Sequence, residues 1–216
     1  MNTQAFDTDA IAFLEDLNAN NNREWFTANK ARYDTSLRRP ATAFSEQICD
    51  HLRDLTGTPY RHKLFRINRD LRFSRDKTPY NTHLHLSFTP DLDRASPPVW
   101  MFGLGLDYLT VGCGVFGFDK TGLEHYRSRV AGPEGAAIAR TVDDLAAAGF
   151  RLPAPELKRV PAPHDADHPR AMLLRRKGLI AWHDFPDRHM VTRPGLVETC
   201  LGVYRQLMPI YDLLAD

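Results

Sequence analysis

The chain has no apolar run approaching the ~18 residues that would cross a bilayer, so no membrane partner is expected. Cysteine is scarce. Cys49, Cys113 and Cys200 stand far apart, without the C-x-x-C spacing of a zinc or redox site, and their odd number argues against a disulfide framework. The opening MNTQAFDTDA has neither the basic start nor the apolar stretch of a secretory signal, so a cytoplasmic location is expected. Net charge is nearly absent as well. A formal +1 argues against the overall basic footprint of a dedicated nucleic-acid binder. There is no P-loop, no G-x-S-x-G, no H-E-x-x-H, and no G-x-G-x-x-G run opening directly into a helix. The sequence therefore points to no particular cofactor. Repeats and low-complexity linkers are also missing.

What is present is ample for a core. Hydrophobic residues make up 43% of the 216, and the aromatic content excludes a disordered chain. Residues 8–19 have Ile11, Leu14 and Leu17 at helical spacing, with Thr8 as a cap. The asparagines at 20–22 interrupt that pattern and offer a second cap, and a helix is predicted over 23–37. Pro40 suits the first turn of a third helix, whose stripe is Phe44, Ile48, Leu52 and Leu55 and whose stop is Gly57. The period then changes. KLFRI reads as short and extended. THLHLSF alternates, with Leu84, Leu86 and Phe88 on one side and His83, His85 and Ser87 on the other.

VWMFGLGL and LTVGCGVFG predict two more strands around a tight turn near Asp107. Their glycines, 103, 105, 112 and 114, recur at period two. Such a row implies close packing against the backbone, best read as helix on sheet. Helices are predicted from about 119, from Pro133 to Ala148, from Pro169 to Arg176, and over 194–214 with Pro209 interrupting. GLIAWHDF reads as a further strand. The expected architecture is α+β: one domain over 1–216, with a central, mostly antiparallel sheet packed by helices from both chain ends.

The most unusual stretch is RHKLFRINRDLRFSRDKTPY, residues 61–80, with seven Lys or Arg against two Asp. Several guanidinium forks converging on one point would bind a phosphate or carboxylate. R-x-x-R spacing does not itself give convergence. On a strand, residues three apart face opposite ways, and on a helix they drift around it. The competing reading is internal pairing, with Asp70 and Asp76 holding two of the arginines and helix carboxylates holding others. A mixture is expected, with Arg69, Arg72 and Lys77 as the subset facing a cleft. Arg66, Arg75, Thr78, Tyr80 and Lys30 complete the candidate ligand-binding set. His83 and Asp76 are the candidate acid/base residues.

Four further groups stand beside that block. Trp25 and Phe26 are adjacent; either one of them faces a ligand or both pack on a wide core face. His83 and His85 point the same way on a strand and would need a third ligand to hold a metal. HDADH at 164–168 offers such ligands but also reads as the start of a helix at Pro169. Lys158 and Arg159 would extend a basic surface or simply be solvated.

Taken in order, NNNREWFTANKARYD, LFRINRDLRFSRDKTPYNTHL, VGCGVFGFDKTGLEHYR, LKRVP and DADHP resemble the DUF2461 family over nearly the whole chain. The resemblance implies a shared architecture and supplies no reaction. The chain departs from the family's pattern after LKRVP. Relatives tend to have a basic residue, a glycine and an aromatic there, and this chain has Ala162, Pro163 and His164. The expected function is binding of a phosphate-bearing small molecule, or catalysis on one, in a cleft formed by residues 66–83. The alternatives are nucleic-acid binding through phosphate contacts and base stacking, and a protein-interaction domain whose arginines are structural.

Overall fold

Five strands form one antiparallel sheet in the computed structural model, which describes residues 5–93 and 95–215. They are β1 (Tyr60–Leu64), β2 (Leu84–Pro90), β3 (Val99–Leu104), β4 (Leu109–Val115) and β5 (Leu179–Asp184), and they lie in that order across the sheet. With the flanking helices this is an α+β fold, as the sequence predicts. β1 pairs with β2 from Tyr60↔Pro90 to Leu64↔Leu86. It starts earlier than KLFRI suggested, because YRHKL is an edge strand whose middle three residues are all exposed. Such a strand has no apolar alternation to read. In β2, Leu84, Leu86 and Phe88 are buried as expected, and Ser87 is buried with them.

The helices ahead of the sheet follow their periodicity. α1 (Asp9–Ala19) buries Ala10, Ile11, Phe13, Leu14 and Leu17. Its predicted cap is corrected: Thr8 makes no side-chain cap bond, and Asp7 Oδ1 accepts from the Ala10 N–H at 3.2 Å instead. Asn22 does cap α2 (Arg23–Ala28), accepting from the Trp25 N–H at 2.9 Å. The predicted 23–37 helix is broken into α2, α3 (Lys30–Tyr33) and a π-turn at Asp34–Arg38, which runs into α4 (Arg39–Thr56). The wider turn has a local anchor. The Ser36 hydroxyl donates to Asp9 Oδ2 at 2.6 Å, while Arg32 forks onto Asp9 at 2.5 and 2.9 Å and reaches Asp16 at 2.7 Å. One extra residue per turn lets Ser36 and Leu37 both be buried. α4 ends at Gly57, whose φ of 72° is the left-handed cap glycine favours.

Cα packing divides the fold into two compact units. The first comprises the described parts of Met1–Asp91, Met101–Val111 and Asp184–Gly202. Its core is aromatic. Phe6 and Phe44 pack on Phe102, with ring centroids 6.2 and 4.9 Å away. Phe13 meets both Trp25 and Tyr33, and Phe26 lies between Tyr33 and Tyr80. Trp25 and Phe26 thus both pack against neighbouring rings.

The second unit comprises the described parts of Leu92–Trp100, Gly112–His183 and Val203–Asp216. α5 (Lys120–Ala131) is capped by Asp119, which accepts from the Gly122 N–H, and α6 (Gly135–Ala147) and α7 (Ala171–Leu174) follow. Trp100 lies 5.0 Å from the Tyr204 ring and 5.1 Å from the Tyr211 ring. The last helices are α8 (Leu196–Gln206) and α9 (Met208–Ala215). The glycines of β4 do mark a close approach, but by a strand rather than a helix. A Cβ at Gly114, where φ is 149°, would lie 2.1 Å from the Leu179 carbonyl oxygen of β5.

Candidate functional site

The basic block folds as a latched loop. Residues 67–69 and 79–81 form a short antiparallel neck: Arg69 N–H donates to the Pro79 carbonyl at 2.9 Å, and Asn81 N–H to the Ile67 carbonyl at 2.6 Å. Ile67 and Tyr80 are buried and anchor the two sides. The neck is clamped from the end of α1. Asn21 donates from Nδ2 to the Tyr80 carbonyl at 2.9 Å, and its Oδ1 accepts the Tyr80 N–H at 3.1 Å. One side-chain amide thereby imitates a third strand. The Tyr80 ring stacks on Phe26 with centroids 4.2 Å apart.

Inside the loop, Arg69 is the tie. Its Nη1 donates to Asp76 Oδ2 at 2.5 Å, to the Thr78 carbonyl at 3.1 Å and to the Thr78 hydroxyl. Asp76 also accepts from the Thr78 N–H at 2.9 Å and from its hydroxyl at 3.0 Å. The Thr78 N–H and the Arg69 guanidinium together hold the Asp76 carboxyl down at about 2. Asp76 is therefore ionised throughout the physiological range. It orients Arg69 and Thr78, and a proton donor with that acidity would be empty at neutral pH.

A cleft of about 320 Å³ opens beside the latch. It is lined by Asn18, Asn21, Arg69, Asp76, Thr78, Tyr80, Asn81, Thr82 and His83. Five of the candidate residues are thus brought together: Arg69, Asp76, Thr78, Tyr80 and His83. Five others are not. Arg72 is an exposed fork on Asp70 at 2.6 Å, Lys77 Nζ donates to the Leu71 carbonyl at 3.2 Å, and Arg66, Arg75 and Lys30 are exposed and absent from the cleft wall. Of the three expected to face a cleft, Arg69 lines this one and Arg72 and Lys77 do not, because irregular backbone rather than R-x-x-R spacing decides where each side chain goes. Asn18, Asn21, Asn81 and Thr82 were missed. Their signal is weak, since polar residues in a loop are ordinary.

His83 reaches the cleft from just before β2 and stacks on His85, with centroids 3.9 Å apart and planes 22° from parallel. Behind them His85 Nε2 shares a 2.7 Å hydrogen bond with the Tyr108 hydroxyl. Gly103 and Gly105 make room for this pair. A Cβ at Gly105 would lie 2.1 Å from the Tyr108 ring, so glycine is the residue that fits. Burial lowers the His83 imidazole from its usual 6.5, and burial plus the neighbouring His83 hold His85 down at about 4. Both rings are kept toward the neutral form. Among the described residues, no group of three His, Cys, Asp or Glu is placed to hold a metal ion.

The remaining motifs are local structure. In HDADH, Asp165 accepts from the Asp167 N–H and His168 Nδ1 from the Arg170 N–H, so the run is a turn and helix α7 begins at Ala171 rather than Pro169. Cys113 is fully buried in β4, and burial pushes its thiol far up, away from the reactive thiolate. No helix among the described residues is long and apolar enough to cross a membrane.

An α+β protein with an antiparallel sheet and a polar cleft beside a latched arginine loop is the class these observations define. The chain matches the family described as Conserved hypothetical protein (DUF2461) over residues 9–213, and it belongs to that family. No curated protein matches it.

Proposed function

We propose that the cleft binds a small phosphate-bearing molecule. The observation that carries this reading is the convergence of a guanidinium, two threonine hydroxyls, three side-chain amides and an imidazole on one small volume, where the single carboxylate is already engaged by Arg69 and Thr78. Asn21, Asn81 and Thr78 are also tied to the loop itself, so Asn18, Thr82, His83 and the Arg69 guanidinium are the groups that would meet phosphate oxygens, while Asp76 keeps Arg69 and Thr78 in place. His83 is the hydrogen-bond partner nearest in character to a base, because burial favours its neutral imidazole. For any proton transfer on the ligand, His83 takes that role.

Thermal unfolding against phosphate, sulfate, nucleotides and sugar phosphates tests the reading. A compound at about 100 times its Kd adds about 2.7 kcal/mol, or roughly 5–10 °C for a chain of this size. The Thr82→Ala and His83→Ala variants should lose that shift. Lys77→Ala, which lies off the cleft wall, should keep it. If no phosphate-bearing compound raises Tm, or if the cleft variants respond as the parent does, the cleft is not the site.

A further inference from the structure

The cleft takes one arginine of the basic block and leaves the other cations facing outward. β1 has a strand on only one side, and its Arg61, His62 and Lys63 are all exposed. Phe65 and Arg66 follow, also exposed. At the tip of the 70–78 loop, Phe73 is 96% exposed, against 42% for Phe65. Each ring carries a cation: Lys63 Nζ lies 4.8 Å from the Phe65 centroid, and Arg72 Cζ lies 6.0 Å from that of Phe73. The loop hangs on the neck at 67–69 and 79–81, which follows β1 after only Phe65 and Arg66, and Asp70 holds Arg72 beside Phe73.

The charges here are largely unspent. Arg61 has only a long, exposed contact with Asp91 at 3.7 Å. Among the described residues, Lys63, Arg66 and Arg75 have no carboxylate within 4.0 Å. A small anion would engage few of these side chains and neither ring. A duplex keeps its base faces stacked inside, leaving the phenyl rings nothing to lie on. An acidic peptide would meet the cations but has no π-face for the rings. A flexible strand with both phosphates and exposed bases uses every part of the surface.

We propose that the outer side of β1 and the tip of the 70–78 loop bind single-stranded nucleic acid, with Phe65 and Phe73 stacking on bases and Lys63, Arg66 and Arg75 meeting phosphates. None of these five residues lines the cleft, so the surface stands or falls separately from the small-molecule site. It is compatible with a near-neutral chain because residues 61–80 alone carry seven Lys or Arg against two Asp.

The test is fluorescence anisotropy with labelled oligo(dT) and oligo(U) of about 12 nucleotides, within the footprint of small single-strand binders. Binding should weaken roughly tenfold or more between about 50 and about 200 mM salt. The Phe73→Ala variant should bind about fivefold or more weaker while unfolding at the parental Tm, since Phe73 packs on so little, and F65A/F73A should bind weaker still. Arg66→Gln with Arg75→Gln should flatten the salt dependence. Thr82→Ala and His83→Ala should change neither readout. The proposal is overturned if neither oligonucleotide binds at low salt, if the ring variant binds like the parent, or if a duplex or polyglutamate competes as well as the single strand does.

Discussion

Replacing His85 with glutamine should flatten the acid side of the protein's stability curve. In the fold, His85 is held at about 4, against a usual 6.5, by its burial and by His83 stacked on it. The folded imidazole is therefore harder to protonate than the unfolded one. Its contribution is complete above pH 6.5, is lost progressively as pH falls toward about 4, and stops changing below that. Between pH 8 and 5 the shift corresponds to at most about 2 kcal/mol, at 1.36 kcal/mol per pH unit. The ring is only partly buried, so solvent screening reduces this to about 1 kcal/mol. Glutamine keeps a hydrogen-bonding group opposite the Tyr108 hydroxyl and cannot titrate. Urea unfolding at pH 8 and pH 5 should show the parent losing about 1 kcal/mol more than His85→Gln, equivalent to roughly 2–4 °C in Tm. Carboxylates titrate alike in both proteins and cancel. Parallel pH profiles for the two proteins would refute the reasoning.

Three further outcomes follow from the close approaches and the clamp. Gly105→Ala should cost about 1–3 kcal/mol by overpacking, and adding Tyr108→Ala should recover part of that loss in a double-mutant cycle, because the obstacle is a side chain. Gly114→Ala should cost more, with no rescue by any neighbouring side-chain change, because the obstacle is the Leu179 carbonyl and φ is 149°. Asn21→Ala should destabilise by about 2 kcal/mol through the two unmade hydrogen bonds, and amide exchange should accelerate over residues 67–81, where the clamp acts. Unchanged exchange in that segment would show that Asn21 does not hold the neck.

Much of the fold was legible because burial leaves periodic traces. α1 and α4 show helical spacing, β2 shows alternation, and Gly57 and Asn22 sit where their backbone and side-chain chemistry require. Features set by partners distant in sequence left no such trace. The π-turn depends on Ser36 and Arg32 finding Asp9, and the clamp depends on Asn21 finding Tyr80, 59 positions away. β1 was misplaced because an exposed edge strand has no buried face to impose alternation. In the candidate site, the composition of the 61–80 block could not sort its arginines. Arg69 and Arg72 each have an Asp partner in the same loop, and only the backbone path puts one into the cleft wall and the other into solvent.

The strand order also bears on how the chain assembles. β2, β3 and β4 are neighbours in sequence as well as in the sheet, so they can zip together through the short connections at 91–98 and 105–108. β5 cannot. It reaches β4 only after the whole segment 116–178 has been drawn in, and closing a connection of that length costs about 2 kcal/mol more chain entropy than closing the one at 91–98. The barrier to folding should rise where a non-local pairing must form before its contacts repay it. Trp182 lies on β5 within a side chain's reach of Gly112, so its fluorescence is a natural clock for the moment the fifth strand arrives.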